Sequence, residues 1–184
     1  TGVAGLDKLL DGGIPEQSVV LLSGSAGVGK TIFSLQFLAD GVKRKESCLF
    51  LTFEQSERKI YDQASRFGLD FEKNKFIKVS SIYDVGIINI LQEIRINMDK
   101  FKPKRMVIDS ITFMLLAAHG VKKLIDLEKT SLAEIYEDME GQGHSATISA
   151  EYENLVVRKL LVDFVRVLQN KGVTTLMTSE VPRE

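Results

Sequence analysis

Gly24-Ser25-Ala26-Gly27-Val28-Gly29-Lys30-Thr31 fits the pattern G-x-x-x-x-G-K-[ST], and the fold turns on how it is read. The apolar run Val19-Val20-Leu21-Leu22 before it predicts a buried strand. Ile32, Phe33, Leu35, Phe37 and Leu38 after it suit a helix packed on that strand. Strand, glycine-rich turn and helix, in that order, are the context in which this pattern binds phosphate. Small residues let backbone N–H groups close around a polyphosphate. A helix beginning near Gly29 adds the positive end of its dipole. Lys30 is expected to place an ammonium between β- and γ-phosphates, and the Thr31 hydroxyl to ligate Mg²⁺. Gly24 through Ile32 (Gly24, Ser25, Ala26, Gly27, Val28, Gly29, Lys30, Thr31, Ile32) are therefore the candidate nucleotide-binding residues.

Working outward, further apolar runs predict strands at Ser47 to Phe53, Phe76 to Ile82, Arg105 to Ser110 and Val173 to Ser179. Between them, helical patterning covers a segment after Ser56, a proposed N-cap, with Ile60, Tyr61, Ala64 and Phe67 on one side and Gly68 at its end. It also covers residues 85–101 and a stretch from about Tyr152 to Asn170. A short helix is expected around Leu6 to Leu10, ending at Gly12-Gly13. The apolar stripe over residues 121–139 is expected to pack in the core, with docking on a neighbouring subunit as the alternative. Residues 140–149 read as a polar loop. Alternating strands and helices imply an α/β fold with a mainly parallel central sheet and helices on both faces, three layers in all. Ligands of such sheets bind beyond the strand C-termini. Gly24, Glu54, Asp109 and Glu180 all stand at or just after strand ends, so they are expected to converge on one edge.

Each acid has a chemical task it suits. Asp109 is the candidate metal-side carboxylate, because phosphoryl transfer needs an acid at a strand end to hold the cation. Glu54 is the candidate general base for water near the γ-phosphate, with Lys30 as its catalytic partner; Gln55 beside it can orient water but takes no proton. Ser110 is expected either to hydrogen-bond within the site or to cap the next helix, and Glu180 either to sense the γ-phosphate or simply to sit on the surface. The basic cluster Lys100 to Arg105 reads as a solvated helix end, with contact to a nucleic acid or a partner as the alternative. His119 and His144 stand isolated from acidic or cysteine partners in sequence.

With 184 residues, 44% hydrophobic, the chain has length enough for one domain with a substantial core. A net charge of −1 leaves no global basic field for nucleic acid or an anionic membrane, although a local basic face remains open. The lone Cys48 precludes an internal disulfide and a cysteine zinc site, and its apolar neighbours make it a core residue. No membrane span or signal peptide is visible, so no membrane partner and a cytoplasmic location are expected.

Several stretches in consistent order resemble the RecA superfamily, and most closely its KaiC-like branch. They are Thr1-Gly2, Gly5-Leu6-Asp7 and Gly12-Gly13-Ile14-Pro15, then Gly24 to Thr31, Leu51-Thr52-Phe53-Glu54, Val107-Ile108-Asp109-Ser110, and Gly172 to Glu180. The resemblance implies ATP binding, slow hydrolysis and assembly as a homo-oligomer, a hexameric ring or a filament. It makes Lys30 and Thr31 the Walker A pair, Asp109 the Walker B acid and Glu54 the catalytic glutamate. Where the family often has Glu-Glu, this chain has Glu54-Gln55. The family's trans-acting finger lies beyond the last strand, so residues 1–184 are expected to form one RecA/KaiC-like ATPase domain lacking its native C-terminal part. Two alternatives stand beside this reading. One is a relative of the RecA or RadA paralogues that binds single-stranded DNA, against which residues 140–149 offer no Lys, Arg or stacking aromatic. The other is a nucleotide-binding regulator with little turnover.

Overall fold

The computed structural model describes residues 1–83, 86–116, 158–159 and 161–181. Its elements follow in the order α1 (Ala4–Leu9), β1 (Val19–Gly24), α2 (Lys30–Lys43), β2 (Cys48–Thr52), α3 (Glu57–Arg66), β3 (Ile77–Ser81), α4 (Ile87–Phe101), β4 (Arg105–Asp109) and β5 (Thr174–Glu180). Residues 111–116, 158–159 and 161–170 are also helical. The stripe over 121–139 and the loop over 140–149 lie outside the described residues.

Among the described residues all strand pairings are parallel, and the order across the sheet is β1-β5-β4-β2-β3. Cys48-Leu49-Phe50-Leu51-Thr52 is buried at every position, as a central strand covered on both faces requires. Successive side chains point to opposite faces, so this one strand feeds two cores. Phe50 packs with Val107, Leu176 and the α2 and α3 residues Leu35, Phe37, Leu38, Ile60 and Ala64. Leu49 and Leu51 pack with Met106, Ile108, Met177, the α4 residues Ile90, Ile94 and Met98, and Phe164 and Leu168. Each such side chain stabilises the fold by about 1.5–3 kcal/mol through burial. The expected mainly parallel α/β sheet with helices on both faces is what the chain forms.

Local chemistry explains several boundaries. Ser56 caps α3, its side chain accepting from Lys59 N at 3.3 Å. Gly68 and Gly172 take left-handed φ values of 72° and 66° just beyond their helices. Cys48 is fully buried. Two apolar residues depart from expectation. Leu21 is 54% exposed, because β1 forms an edge of the sheet among the described residues and this side chain has no layer over it. Phe67 is 50% exposed: α3 ends at Arg66, and the ring lies past its buried stripe.

Candidate functional site

Because β1 to β5 all run the same way, the C-terminal ends of β1, β2, β4 and β5 bring Gly24, Glu54, Asp109 and Glu180 to one edge. A cleft of about 430 Å³ opens there, lined by Lys30, Thr31, Glu54, Asp109, Ser110 and Glu180 among others.

The loop from β1 to α2 turns on Gly27 and Gly29, whose φ values are 82° and 96°. Gly29 is the N-cap of α2, and no side chain caps that helix. Its first N–H groups therefore face the cleft side of the loop without intrahelical partners. A Cβ on Gly24 would stand 2.9 Å from Val28 Cγ2, so glycine keeps the loop closed on itself. Lys30 is buried, and its Nζ donates to Gly24 O at 2.8 Å and Ser25 O at 2.9 Å. Glu180 stands 3.9 Å from the same ammonium but is half exposed, a loose pairing. Ile32 lines the cleft, while Val28 is exposed on the loop.

Asp109, at the end of β4, receives hydrogen bonds on both carboxylate oxygens. Thr31 Oγ1 donates to Oδ2 at 3.0 Å, and Thr178 Oγ1 donates to Oδ1. The next peptide, Asp109–Ser110, is cis. Ser110, almost wholly buried, donates from Oγ to Glu54 Oε1 at 2.8 Å, the first of the two roles open to it from sequence. Glu54 itself is exposed, with one oxygen so held. Gln55 is braced on three sides. Its N–H donates to Thr52 Oγ1 at 3.1 Å, its carbonyl accepts from Ser81 Oγ at 2.9 Å, and its Oε1 accepts from Gln63 Nε2 at 3.1 Å.

Sequence reasoning missed Thr178, buried against Asp109, and Gln63, Arg66 and Phe67, which line the cleft. The last three were visible only as a helix end. Thr178 carried no signal of its own, since Thr174, Thr175, Ser179 and Glu180 make most of that strand polar. His119 and His144 lie outside the described residues. Among the described residues no three His, Cys, Asp or Glu gather to hold a metal. A cation here would draw on Thr31, Asp109 and the phosphates of a bound nucleotide. Hydroxyl and carboxylate oxygens are the ligands Mg²⁺ takes, so the residues present fit it. Among the described residues no helix is long and apolar enough to cross a membrane.

Residues 1–136 match the family described as ATPase: KaiC. A UPF0273 protein of Pyrococcus horikoshii is 34% identical over 148 residues, covering 70% of this chain and 60% of its relative. A circadian clock oscillator protein KaiC of Prochlorococcus marinus is 33% identical over 126 residues, 66% of this chain and 24% of that protein. A crystal structure of a KaiC-like protein from Pyrococcus horikoshii superposes with a TM-score of 0.68 and 29% identity, covering 97% of this chain and 68% of the other. The chain thus spans 60% or less of the length of these two relatives. With the phosphate loop, the parallel five-stranded sheet and these matches together, the chain belongs to the KaiC family of ATP-binding P-loop ATPases, with their RecA-like fold.

Proposed function

We propose that this chain binds ATP with Mg²⁺ in the cleft and hydrolyses it slowly, its nucleotide state coupled to self-assembly or partner binding. The observation that carries this reading is the 3.0 Å hydrogen bond from Thr31 to Asp109, with Lys30 beside it and Glu54 across the same cleft. In this reading the loop N–H groups and Lys30 bind the β- and γ-phosphates, the ammonium leaving the two loop carbonyls that now hold it. Thr31 and Asp109 hold Mg²⁺, which offsets phosphate charge when bound. Glu54 uses the oxygen not engaged by Ser110 to take a proton from water. The water oxygen bonds to the γ-phosphorus as the bond to the β–γ bridging oxygen breaks, and that oxygen leaves with the electron pair. Turnover is slow because Gln55 supplies no second carboxylate and its amide oxygen is occupied by Gln63. Self-assembly into a ring or filament, and a cytoplasmic location, belong to the same reading.

The test is Mg²⁺-ATP turnover by the purified protein, with Lys30→Ala and Glu54→Gln alongside and light scattering to follow assembly. Losing the lysine is expected to cost about 10²–10³ in rate. Losing the base costs on the order of 10²–10⁴. Strong stimulation by single-stranded DNA would move the reading to a recombinase-like protein. Wild-type binding of ATP with turnover no faster than the variants would leave a nucleotide-gated binding protein and end the enzyme reading.

A further inference from the structure

We propose that the opposite edge of the sheet, where the strands begin, binds the sugar–phosphate backbone of a duplex nucleic acid. This site is separate from the nucleotide cleft. The turns that enter β2, β4 and β5 carry Arg44, Lys45, Lys102, Lys104 and Lys171, all exposed, with Lys43 on the adjoining helix end. These turns form one hydrogen-bonded unit. Ser47 Oγ donates to Lys102 O at 2.8 Å, Lys104 N donates to Ser47 O at 2.8 Å, and Thr174 N donates to Lys104 O at 3.0 Å. Neighbouring strands stand about 4.8 Å apart, so the cations form a row along the sheet edge.

The acids of this edge are largely engaged. Asp40 and Glu46 pair with the half-buried Arg105 at 3.0 Å and 2.6 Å, Asp40 also with Arg44 at 3.0 Å, and Asp99 with Lys171 at 2.7 Å. Glu16 remains at the β1 end. Among the described residues Lys43, Lys45, Lys102 and Lys104 have no ion-pair partner. The helix dipole accounts for Lys43, in the last turn of α2, but its effect fades beyond that turn, where Lys45 and Lys104 stand.

Backbone conformation makes the row testable. Lys45 and Lys102 hold left-handed φ values of 60° and 48°, where glycine is the low-cost residue. The comparable turn before β5 does use glycine, Gly172. Asp11 and Gln17 hold left-handed φ values as well, at 48° and 62°; what these two turns offer is that Lys45→Gly and Lys102→Gly would each remove a charge and relieve the backbone at once. With a whole-chain charge of −1, this row is local, and Glu54, Asp109 and Glu180 stand at the other edge. A polyanion is therefore drawn to the strand-entry side.

The shape selects the partner. A row of cations matches a polymer backbone better than a planar membrane. The exposed aromatics of the described residues, Phe67 and Tyr83, lie in the nucleotide cleft and beyond the end of β3, so base stacking is not offered along the row. Contact is through phosphate, independent of sequence, and suited to a duplex rather than to splayed single strands.

Fluorescence anisotropy with a labelled duplex DNA of about 30 base pairs, from about 50 mM salt upward, tests this. The discriminating variant is Lys45→Gly/Lys102→Gly, because glycine relaxes both turns. Expected is wild-type binding that weakens steeply with salt. The double variant should melt no lower than wild type, bind about tenfold or more weakly, and show a salt slope shallower by about two. The proposal is overturned if wild type fails to bind duplex at the lowest salt, or if the glycine variant keeps its affinity and slope. Binding to phosphatidylserine vesicles without binding to DNA would equally overturn it, in favour of a membrane surface.

Discussion

Replacing Thr178 by valine asks whether a residue in the last described strand governs the metal side of the cleft. Valine matches threonine in shape, so no cavity forms; what disappears is the hydroxyl that donates to Asp109 Oδ1. Thr178 is wholly buried, and its replacement leaves that carboxylate oxygen without its protein donor. Hydrogen bonds to charged groups contribute about 1.5–3 kcal/mol. Asp109 is partly open to the cleft, where water can take up some of the loss, so the low end, about 1.5 kcal/mol, is expected for global stability. The functional effect is larger in kind. With one oxygen released, the carboxylate can rotate away from Thr31, its partner at 3.0 Å. Loss of such a supporting hydrogen bond typically weakens metal affinity or activity by about 10–100-fold.

The assay is turnover at fixed ATP against Mg²⁺ concentration, run beside urea unfolding of the same preparations. Thr178→Val should raise the Mg²⁺ half-saturation about tenfold while ATP binding without metal changes little. Thr178→Ser, which keeps the hydroxyl, should restore most of the metal affinity. A purely structural role would shift the urea midpoint alone. An unchanged Mg²⁺ dependence in the valine variant would refute the assignment of Thr178 as the residue positioning Asp109.

Two further outcomes follow from packing. Gly41→Ala would set a Cβ 2.7 Å from Cys48 Sγ and 2.8 Å from Arg105 Cδ, and should lower stability by about 1–3 kcal/mol, read as a lower urea midpoint. Burial pushes the Cys48 thiol up to about 12, so iodoacetamide at about pH 8 should label native protein only as fast as it unfolds. Rapid native labelling would contradict that burial. The folded-state value exceeds the ordinary thiol value of 9.0, so this group favours the fold fully below the latter, and the contribution is lost as pH rises toward 12.

The phosphate loop was legible because its information is local: residue types, spacing and the flanking strand and helix all lie between Val19 and Leu38. Glu54, Asp109 and Glu180 were legible for a different reason. Alternating elements imply parallel strands, and parallel strands send their C-terminal residues to one edge whatever their order. Burial was less readable where it depended on neighbours. Leu21 and Phe67 fit the apolar pattern of their elements yet stand exposed, one on an edge strand and one past a helix end. The lysines of residues 100–105 read as a solvated helix end; only the structure brings Lys102 and Lys104 beside Lys45 and Lys171, and reveals the left-handed turns.

Strand order was the information that periodicity lacks, and much of the site's wiring depends on it. Among the described strands β5 comes last in sequence but lies second in space, between the strand that leads into the phosphate loop and the strand that ends in Asp109. From that position its last residues touch both. Thr178 reaches Asp109, Ser179 Oγ lies 3.1 Å from Ser23 Oγ, Glu180 N donates to Thr112 Oγ1 at 3.0 Å, and Val181 N donates to Gly24 O at 3.2 Å. A change at the phosphates that moved Lys30 off Gly24 O and Ser25 O would therefore be felt first at the end of this strand, through Gly24 and Glu180. No pattern within residues 174–180 announces this; it arises from which strands stand next to them.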